Sequence, residues 1–307
     1  MPESPAVDTI ITDMDLHVQP GKYVVAVSGG VDSMVLLNLL SGKSGLELTV
    51  AHFDHGIRAD SAEDRKLVQK VAAEHGLPFR YGEGKLGCDA SEAEARAARY
   101  GFLENIRQQQ GAQAIITAHH QDDLIETMIL NILRGTGRKG LSALGDRPAI
   151  LRPLLCTPKA ELTQYARQHH LEWREDSTNA DDRYARNYIR HQLMPRLDVG
   201  AKAKLLRIAT ETRRTNAELD SVLAELLLPM AAGQLDRRVF IQLPHAVSRE
   251  LLAAWLRSNG IAQFDAPLIE RVTVAAKTQA PGAIINLIGG ANLRVAKYSL
   301  ALEQVER

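Results

Sequence analysis

Residues 25–33 read V-A-V-S-G-G-V-D-S and connect an apolar run at residues 23–27 to a helical pattern at residues 34–40. The two glycines allow the backbone to turn tightly and to bring its N–H groups close to a ligand. The helix N-terminus adds a partial positive charge, and the hydroxyls of Ser28 and Ser33 add further donors. The stretch therefore predicts a phosphate-binding loop between a strand and a helix.

Asp32 stands within this loop. A carboxylate beside phosphates repels them unless a divalent cation lies between the two, and Mg²⁺ is the expected cation because it binds through one or two carboxylates together with substrate phosphates. The alternative is that Asp32 caps the helix in an ordinary strand–turn–helix connection. The pattern S-G-G-x-D-S is much more specific than an isolated G-x-G-x-x-G, which favours the magnesium interpretation.

The first half of the chain alternates apolar runs with helical patterns. Such repeated units predict an α/β fold in which a parallel sheet has helices on both faces. Ligands bind these sheets beyond the carboxyl ends of the strands, and polar clusters follow the apolar runs at residues 28–33, 52–58 and 117–123. The apolar runs are 23–27, 46–53 and 114–117, and the helical patterns are 34–40, 63–74, 91–110 and 124–133.

The pattern changes after Pro195. This change predicts a catalytic domain over residues 1–197 and a smaller, mainly helical domain over residues 198–307. The second domain has helical patterns at 201–228 and 246–258 and a strand-like tail at 283–303 that turns at Gly289 and Gly290. Residues 134–147 hold four glycines and four basic residues, and we interpret them as a mobile loop without a packed element.

The composition excludes several classes of protein. Apolar residues make up 45% and charged residues 24% of the 307, which excludes disorder, collagen and coiled coil. No uncharged apolar stretch reaches 18 residues, and acidic residues precede the first lysine, so we expect a cytoplasmic protein without a membrane span or targeting signal. Cys88 and Cys156 lie in no C-x-x-C motif, which predicts neither a cysteine-held metal nor a disulfide scaffold.

The charge of the chain is unevenly distributed. The formal net charge is zero, but residues 183–214 hold nine basic and two acidic residues, a net charge of +7. This basic segment has two interpretations, a solvated helical face or a stripe that faces phosphates. Aromatic residues are few after residue 198, so we expect contact with an RNA backbone rather than base stacking.

Further motifs follow the loop in order along the chain. They are H-F-D-H-G-I-R at 52–58, S-E-A-E-A-R-A-A-R-Y at 91–100, T-A-H-H-Q-D-D-L-I-E-T at 117–127, L-R-G-T-G at 133–137, R-P-L-L at 152–155, and E-D-S-T-N at 175–179 followed by Arg186, Asn187 and Arg190. S-G-G-x-D-S is the pyrophosphate-loop motif of the ATP-pyrophosphatase (PP-loop) superfamily. The ordered set resembles the tRNA(Ile)-lysidine synthetase family over about residues 20–197, although Ala143-Leu144 stands where that family usually has Gly-Met.

The resemblance implies a C–N-bond-forming ligase that acts in two steps. ATP adenylates O2 of the wobble cytidine in an isoleucine tRNA and releases pyrophosphate, and the ε-amine of free L-lysine then displaces AMP at C2. The implied cofactors are ATP and Mg²⁺, and the implied partners are the tRNA and lysine, without a membrane. A homodimer is one state that the sequence leaves open.

The resemblance, together with the charge of the basic segment, gives a set of expected site residues. The catalytic residues are Asp32, Asp122 and Asp123, of which Asp32 and Asp122 bind the metal. ATP is bound by Ala26, Ser28, Gly29, Gly30, Val31, Asp32, Ser33, His52 and Thr117. Lysine is bound by Asp123, Glu126 and Arg190. The tRNA contacts are Arg58, Arg134, Arg138, Lys139, Arg186, Arg213 and Arg214.

The carboxylates of residues 122, 123 and 126 lie within one and a half helical turns, and like charges this close require cations. Mg²⁺ and the two ammonium groups of lysine are the expected cations, and the alternative is an exposed acidic helix start. Arg186 and Arg190 are four residues apart and are expected to hold either the lysine carboxylate or a tRNA phosphate. The histidines of these motifs lack the spacing of a zinc site, and we expect them in the core or at the edge of the adenine ring. They are His52, His55, His119 and His120.

Two other functions stay open. A tRNA thiolase uses the same adenylation with a sulfur nucleophile, but it needs reactive cysteines or a cluster, and Cys88 and Cys156 lie in no paired motif. A non-catalytic nucleotide-binding or RNA-binding protein has no use for Asp32 and three further carboxylates.

Overall fold

The computed structural model describes residues 18–56, 61–84, 92–144, 149–175, 185–227, 233–261, 264–287 and 290–304. The chain divides into two compact units. Unit 1 comprises Met1–Leu133 and Ala143–Arg207, and unit 2 comprises Arg134–Ser142 and Ile208–Arg307. Residues 198–207 are thus assigned to unit 1 and residues 134–142 to unit 2. The predicted domain boundary after residue 197 stays a prediction.

Unit 1 is built on a five-stranded sheet. Its strands are β1 (Gly21–Ala26), β2 (Leu46–Asp54), β3 (Phe79–Glu83), β4 (Ala114–Ile116) and β5 (Ile150–Leu151). Their order is β3-β2-β1-β4-β5, and every neighbouring pair is parallel, so the predicted parallel sheet is confirmed. The sequence pattern missed β3, an edge strand that mixes polar and apolar residues, and β5, which has two residues.

Helices pack on both faces of this sheet, as predicted. The helices of unit 1 are α1 (Val31–Ser41), α2 (Ser61–Glu74), α3 (Glu92–Gln109), α4 (Gln121–Leu133), α6 (Lys159–Gln168) and α7 (Ala185–Tyr188), whereas α5 (Arg138–Leu141) belongs to unit 2 and α8 (Val199–Leu227) begins in unit 1. Adjacent residues of β1 face opposite sides of the sheet. Val25 packs with Leu36 of α1 and Leu162 of α6, and Val24 packs with Leu103 of α3. Each such buried side chain contributes about 1.5–3 kcal/mol to stability.

The strand order places two loops side by side. The chain leaves β1 for β2 on one side, and it leaves β4 for β5 on the other, while β1 and β4 are neighbours. A crevice therefore opens beyond the carboxyl ends of β1 and β4, where parallel sheets bind their ligands. Residues 27–30 follow β1 and residues 117–120 follow β4, so two of the three predicted polar clusters border this crevice.

The described residues of unit 2 form four helices and a small antiparallel sheet besides the C-terminal part of α8. Its elements are α5, α9 (Arg237–Gln242), α10 (His245–Ser258), α11 (Ala266–Thr278), β6 (Gln234–Asp236), β7 (Ile284–Asn286), β8 (Ala291–Val295) and β9 (Ser299–Gln304). The sheet order is β6-β9-β8-β7, and the core is centred on Phe240, Trp255, Leu256 and Leu293. The expectation of a mainly helical second region with a strand-forming tail is confirmed.

A buried arginine holds part of unit 2 together. Arg237 is 8% exposed, and its guanidinium donates to the backbone carbonyls of Ala276, Gln279 and Ala296 at 2.6–3.1 Å. These carbonyls lie at the end of α11 and after β8. Arg237 therefore ties the helix to the sheet with charge-assisted hydrogen bonds.

The expectation that residues 134–147 lack a packed element was wrong for the part that the structure describes. Residues 138–141 form α5, and Arg138 donates to Asn216, Asp220 and Glu250 at 2.7–2.9 Å. Asn216 donates in return to the Arg138 carbonyl at 3.2 Å. The guanidinium of Arg138 therefore holds this segment in place, because it donates to acceptors more than 70 positions further along the chain.

Across the residues that the structure describes, no helix is both long enough and apolar enough to cross a membrane.

Candidate functional site

The loop between β1 and α1 is organised by Ser33. The Ser33 hydroxyl is buried, accepts hydrogen bonds from the N–H groups of Ser28 and Gly29 at 3.2 and 3.3 Å, and donates to the Gly30 carbonyl at 2.9 Å. Gly29 has a φ of 96°, a conformation that favours glycine. Ser28 accepts from the Gly30 N–H at 3.4 Å. Both hydroxyls predicted to bind phosphate thus shape the loop itself.

A second segment holds this loop from outside. The Arg174 N–H donates to the Gly29 carbonyl at 3.0 Å, and the Arg174 guanidinium donates to Asp64 of α2 at 2.7 Å. Asp64 is 5% exposed. Neither residue carries a local sequence signal, because they are 110 positions apart and meet only in the folded unit.

Asp32 lies in the first turn of α1 between two cationic groups. Its Oδ2 is 3.6 Å from His120 Nε2 and 3.3 Å from Lys159 Nζ. Burial raises the pKa of Asp32, but His120 and the charge of Lys159 outweigh burial and hold that pKa below its usual value. Its Oδ1 is buried without a hydrogen-bond partner among the described residues. One carboxylate oxygen is therefore available for a further ligand.

The first two carboxylates of α4 are also paired with cationic groups of the protein. Asp122 accepts from Lys202 Nζ at 3.1 Å and from the Lys159 N–H at 3.0 Å. Asp123 Oδ2 lies 3.4 Å from His120 Nε2. Burial raises the pKa of both carboxyls, but these contacts, and for Asp123 the charge of Arg186 as well, hold both below the usual value.

Glu126 is the most deeply buried carboxylate of the cluster, with 2% exposure. It accepts from Arg186 Nε at 3.1 Å and from Arg190 Nε and Nη2 at 2.7 and 2.9 Å. Both arginines also reach Asp123 Oδ1, at 3.2 and 3.3 Å. The packing of Ile125 against the turn that contains Ile189 brings the two guanidinium groups over α4.

These contacts add cations that the sequence did not indicate. Mg²⁺ and the ammonium groups of lysine were the expected cations for α4, and the protein's own His120, Lys202, Arg186 and Arg190 also balance its charges. The binding of metal and lysine there stays a prediction, whereas the alternative of an exposed acidic helix start is wrong, because these carboxylates are largely buried. Lys202 and the two arginines belong to the basic segment, so part of its positive charge faces inward.

Three of the motif histidines, His52, His119 and His120, occupy different environments. His120 is buried between Asp32 and Asp123, which raise its pKa above the usual value against the effect of burial. Burial lowers the pKa of His119 to about 3, and its Nδ1 lies 2.8 Å from Thr117 Oγ1. His52 Nδ1 donates to the Val27 carbonyl at 2.8 Å, which leaves Nε2 as a buried acceptor. Within the described ranges, no three His, Cys, Asp or Glu side chains are grouped to hold a metal ion.

One cavity of about 930 Å³ joins the loop to the carboxylate cluster. The sequence predicted five charged residues of its lining as site residues, but it missed Lys159, Arg167, Arg174 and Lys202. Lys202 belongs to the basic segment, whereas Lys159 and Arg174 lie in segments without a recognised motif. The predicted residues that line the cavity are Ser28, Gly30, Val31, Asp32, Asp122, Asp123, Glu126 and Arg190.

The predicted tRNA contacts are distributed differently. Arg58 lies outside the described residues, Arg134 is exposed, and Arg138 is engaged within unit 2. Lys139 pairs with Asp220, Arg213 donates to the Ser142 carbonyl, and Arg214 is 77% exposed beside Glu218. Arg186 binds the carboxylates of α4. Of the described members of the set, Arg134 and Arg214 are therefore the most accessible to RNA.

The comparisons with known proteins agree with this geometry. Residues 6–197 match the PP-loop domain family. A tRNA(Ile)-lysidine synthase of Nitrosomonas europaea is 39% identical over 240 residues, which are 71% of this chain and 52% of that protein. A tRNA(Ile)-lysidine synthase of Solibacter usitatus is 36% identical over 284 residues, which are 85% of this chain and 64% of that protein.

A solved structure shows the same fold. The U34-tRNA thiolase of Methanococcus maripaludis aligns with a TM-score of 0.57 and 18% identity over 68% of this chain and 80% of that one. The chain spans between about half and two thirds of the length of the curated relatives it matches. The chain therefore belongs to the PP-loop domain family, and the predicted resemblance to the tRNA(Ile)-lysidine synthetases is confirmed.

Proposed function

We propose that this protein ligates free lysine to C2 of the wobble cytidine of isoleucine tRNA at the expense of ATP. The observation that carries the proposal is that the phosphate-binding loop and the α4 carboxylates line one cavity, in a chain whose curated relatives are named tRNA(Ile)-lysidine synthase. A phosphate site alone fits any nucleotide-binding protein. A carboxylate and guanidinium cluster beside it fits an amino-acid substrate that carries both charges.

In the first step, the cytidine O2 attacks the α-phosphorus of ATP, and the bond from that phosphorus to pyrophosphate breaks. The N–H groups at the start of α1 face the pyrophosphate portion, where the partial charge of the helix end stabilises it. Ser33 holds the loop that leads to these groups in shape, because its hydroxyl accepts hydrogen bonds from the Ser28 and Gly29 N–H groups. We assign adenine contacts to His52, whose buried Nε2 accepts a hydrogen bond, and to Thr117.

The residues present fit a magnesium ion at Asp32. Its Oδ1 has no partner among the described residues, and Mg²⁺ bound with phosphates needs one or two carboxylates rather than a cluster of three. Asp122 fits less well, because Lys202 and the Lys159 N–H occupy both of its oxygens. When bound, the ion would neutralise charge on the departing pyrophosphate.

In the second step, the lysine ε-amine loses its proton and attacks C2, and the C2–O2 bond to AMP breaks. We assign the ammonium groups of lysine to Asp123 and Glu126 and its carboxylate to Arg190. Since Arg186 and Arg190 hold these carboxylates, lysine must exchange with at least one guanidinium. We assign Arg134, Lys139, Arg213 and Arg214 to the tRNA.

The direct test is to incubate the protein with ATP, labelled lysine and isoleucine tRNA and to measure the label retained in RNA. We expect incorporation that requires ATP and is lost when the wobble cytidine is replaced by uridine. Asp32→Asn should remove incorporation and pyrophosphate release together. Tight tRNA and ATP binding without any incorporation would contradict the proposal and would favour a non-catalytic binding protein.

A further inference from the structure

Lys159 faces the phosphate-binding loop although it belongs to no motif of the sequence. It is the first residue of α6, and its N–H is fixed by Asp122 at 3.0 Å. The helix is anchored beside α1 by the fully buried Leu162 and by a 2.8 Å hydrogen bond from Tyr165 to Asn38. The backbone of Lys159 is therefore held in place, and its ammonium group reaches Asp32 Oδ2 at 3.3 Å.

His120 also lies near Asp32, at 3.6 Å, but three other cationic side chains that line the cavity bind different carboxylates. Lys202 donates to Asp122, Arg190 donates to Glu126, and Arg174 donates to Asp64. Lys159 contacts the carboxylate of the loop itself, and its side chain is 47% exposed. An exposed lysine on a four-carbon stem changes partner easily, because its three N–H donors impose no fixed plane.

Incoming phosphates change the charge balance at this place. Two negative groups at about 4 Å repel each other by several kcal/mol at the effective dielectric constant of a protein surface. Asp32 needs a cation before nucleotide binds, and the pyrophosphate portion needs one afterwards. Lys159 is placed to meet both needs with a small movement of its ammonium group.

We propose that Lys159 is a phosphate-binding residue. It neutralises Asp32 in the nucleotide-free protein and transfers to a β- or γ-phosphate oxygen when ATP binds, which leaves Asp32 to the metal. The inference rests on the proposed function because it takes ATP as the nucleotide. It assigns the pyrophosphate half of that ligand to a residue outside the S-G-G-x-D-S motif.

The test is equilibrium binding of ATP, AMP and inorganic pyrophosphate by calorimetry in EDTA, without tRNA or lysine. Losing one charge-assisted hydrogen bond should weaken ATP and pyrophosphate binding about 10- to 100-fold in Lys159→Met, and AMP binding less than about threefold. Lys159→Arg should retain ATP affinity within about fivefold. Lys70→Met is the matched control, because Lys70 pairs with Glu172 outside the cavity and is about half exposed.

A double variant separates direct contact from an effect through Asp32. If Lys159 only neutralises Asp32, the loss should vanish in an Asp32→Asn background, whereas direct contact predicts that at least a tenfold loss persists. A vanished loss, or an equal loss for AMP and ATP, overturns the inference. A wild type that binds neither ATP nor pyrophosphate overturns the proposed function as well, so the two failures are distinguishable.

Discussion

Replacing Glu126 by glutamine tests whether the buried ion-pair cluster supports the fold as well as the lysine site. The substitution keeps the size of the side chain and removes its charge. It also places an NH₂ group where an oxygen accepts from Arg186 or Arg190. Two donors would then face each other at a position that is 2% exposed.

The magnitude follows from what remains after the change. Breaking a buried pair costs about 3–5 kcal/mol when the surviving charge stays unpaired. Here the side chains of Arg186 and Arg190 are 22% and 30% exposed, and both still reach Asp123. Water and Asp123 offset part of the loss, so we expect the free energy of unfolding of unit 1 to fall by about 2–3 kcal/mol.

The assay is peptide-level hydrogen exchange in increasing urea, which follows α4 separately from unit 2. Glu104→Gln on α3 is the matched control, because Glu104 accepts two hydrogen bonds from Arg107 but is 40% exposed. An exposed pair of this kind contributes less than about 1 kcal/mol. Equal losses in the two variants would refute the calculation for the buried cluster.

The same variant tests the assignment of lysine. If Glu126 binds an ammonium group, Glu126→Gln should raise the lysine KM strongly and leave ATP-dependent adenylation of the tRNA largely intact. Loss of adenylation with an unchanged lysine KM would instead assign the carboxylate to the first step. Weaker binding of norleucine than lysine to the wild type, by about 30-fold or more, would support two ammonium contacts.

Three further predictions concern pH, stability and salt. The free energy of unfolding of the wild type, relative to that of His119→Asn, should fall by up to about 1.4 kcal/mol per pH unit between pH 6.5 and pH 3. The reason is that His119 takes up its proton at a higher pH in the unfolded state than in the folded state. A difference between the two proteins that does not depend on pH would contradict this. Arg237→Met should cost unit 2 about 2–4 kcal/mol in urea unfolding, since three carbonyls lose their donor, and an unchanged midpoint would refute that role. Reversing Arg213 and Arg214 to Glu should flatten a slope of log K for tRNA against log salt of about −4 to −5, and an unchanged slope would return the basic segment to a solvated face.

The sequence predicted those features that depend on neighbouring residues. β1, β2 and β4 are centred on short, mainly apolar runs, and the loop at residues 28–33 combines glycines with a strand end and a helix start, so local pattern was sufficient. The edge strand β3 and the short β5 depend on pairing with a neighbour rather than on their own composition. Local pattern carries no information about such pairing.

The partners of the charged residues were not predictable in the same way. Asp32 and Lys159 are 127 positions apart, and Asp122 and Lys202 are 80 apart. A like-charge cluster in the sequence indicates that cations are needed, but not which ones supply the charge. Substrate and metal were therefore expected where the folded chain supplies lysine, histidine and arginine of its own.

The sequence separation of the contacts of Arg138 limits how early during synthesis they can form. Arg138 lies 112 positions before Glu250. A ribosome that adds about 5–20 residues per second therefore synthesises Glu250 about 6–22 s after Arg138, and the contact cannot form earlier. The order of events is thus that unit 2 closes around a segment synthesised long before it. A fragment that begins after residue 207 would lack Arg138, the donor to Asn216, Asp220 and Glu250. A chimaera that exchanges unit 2 between relatives therefore has to exchange residues 134–142 as well.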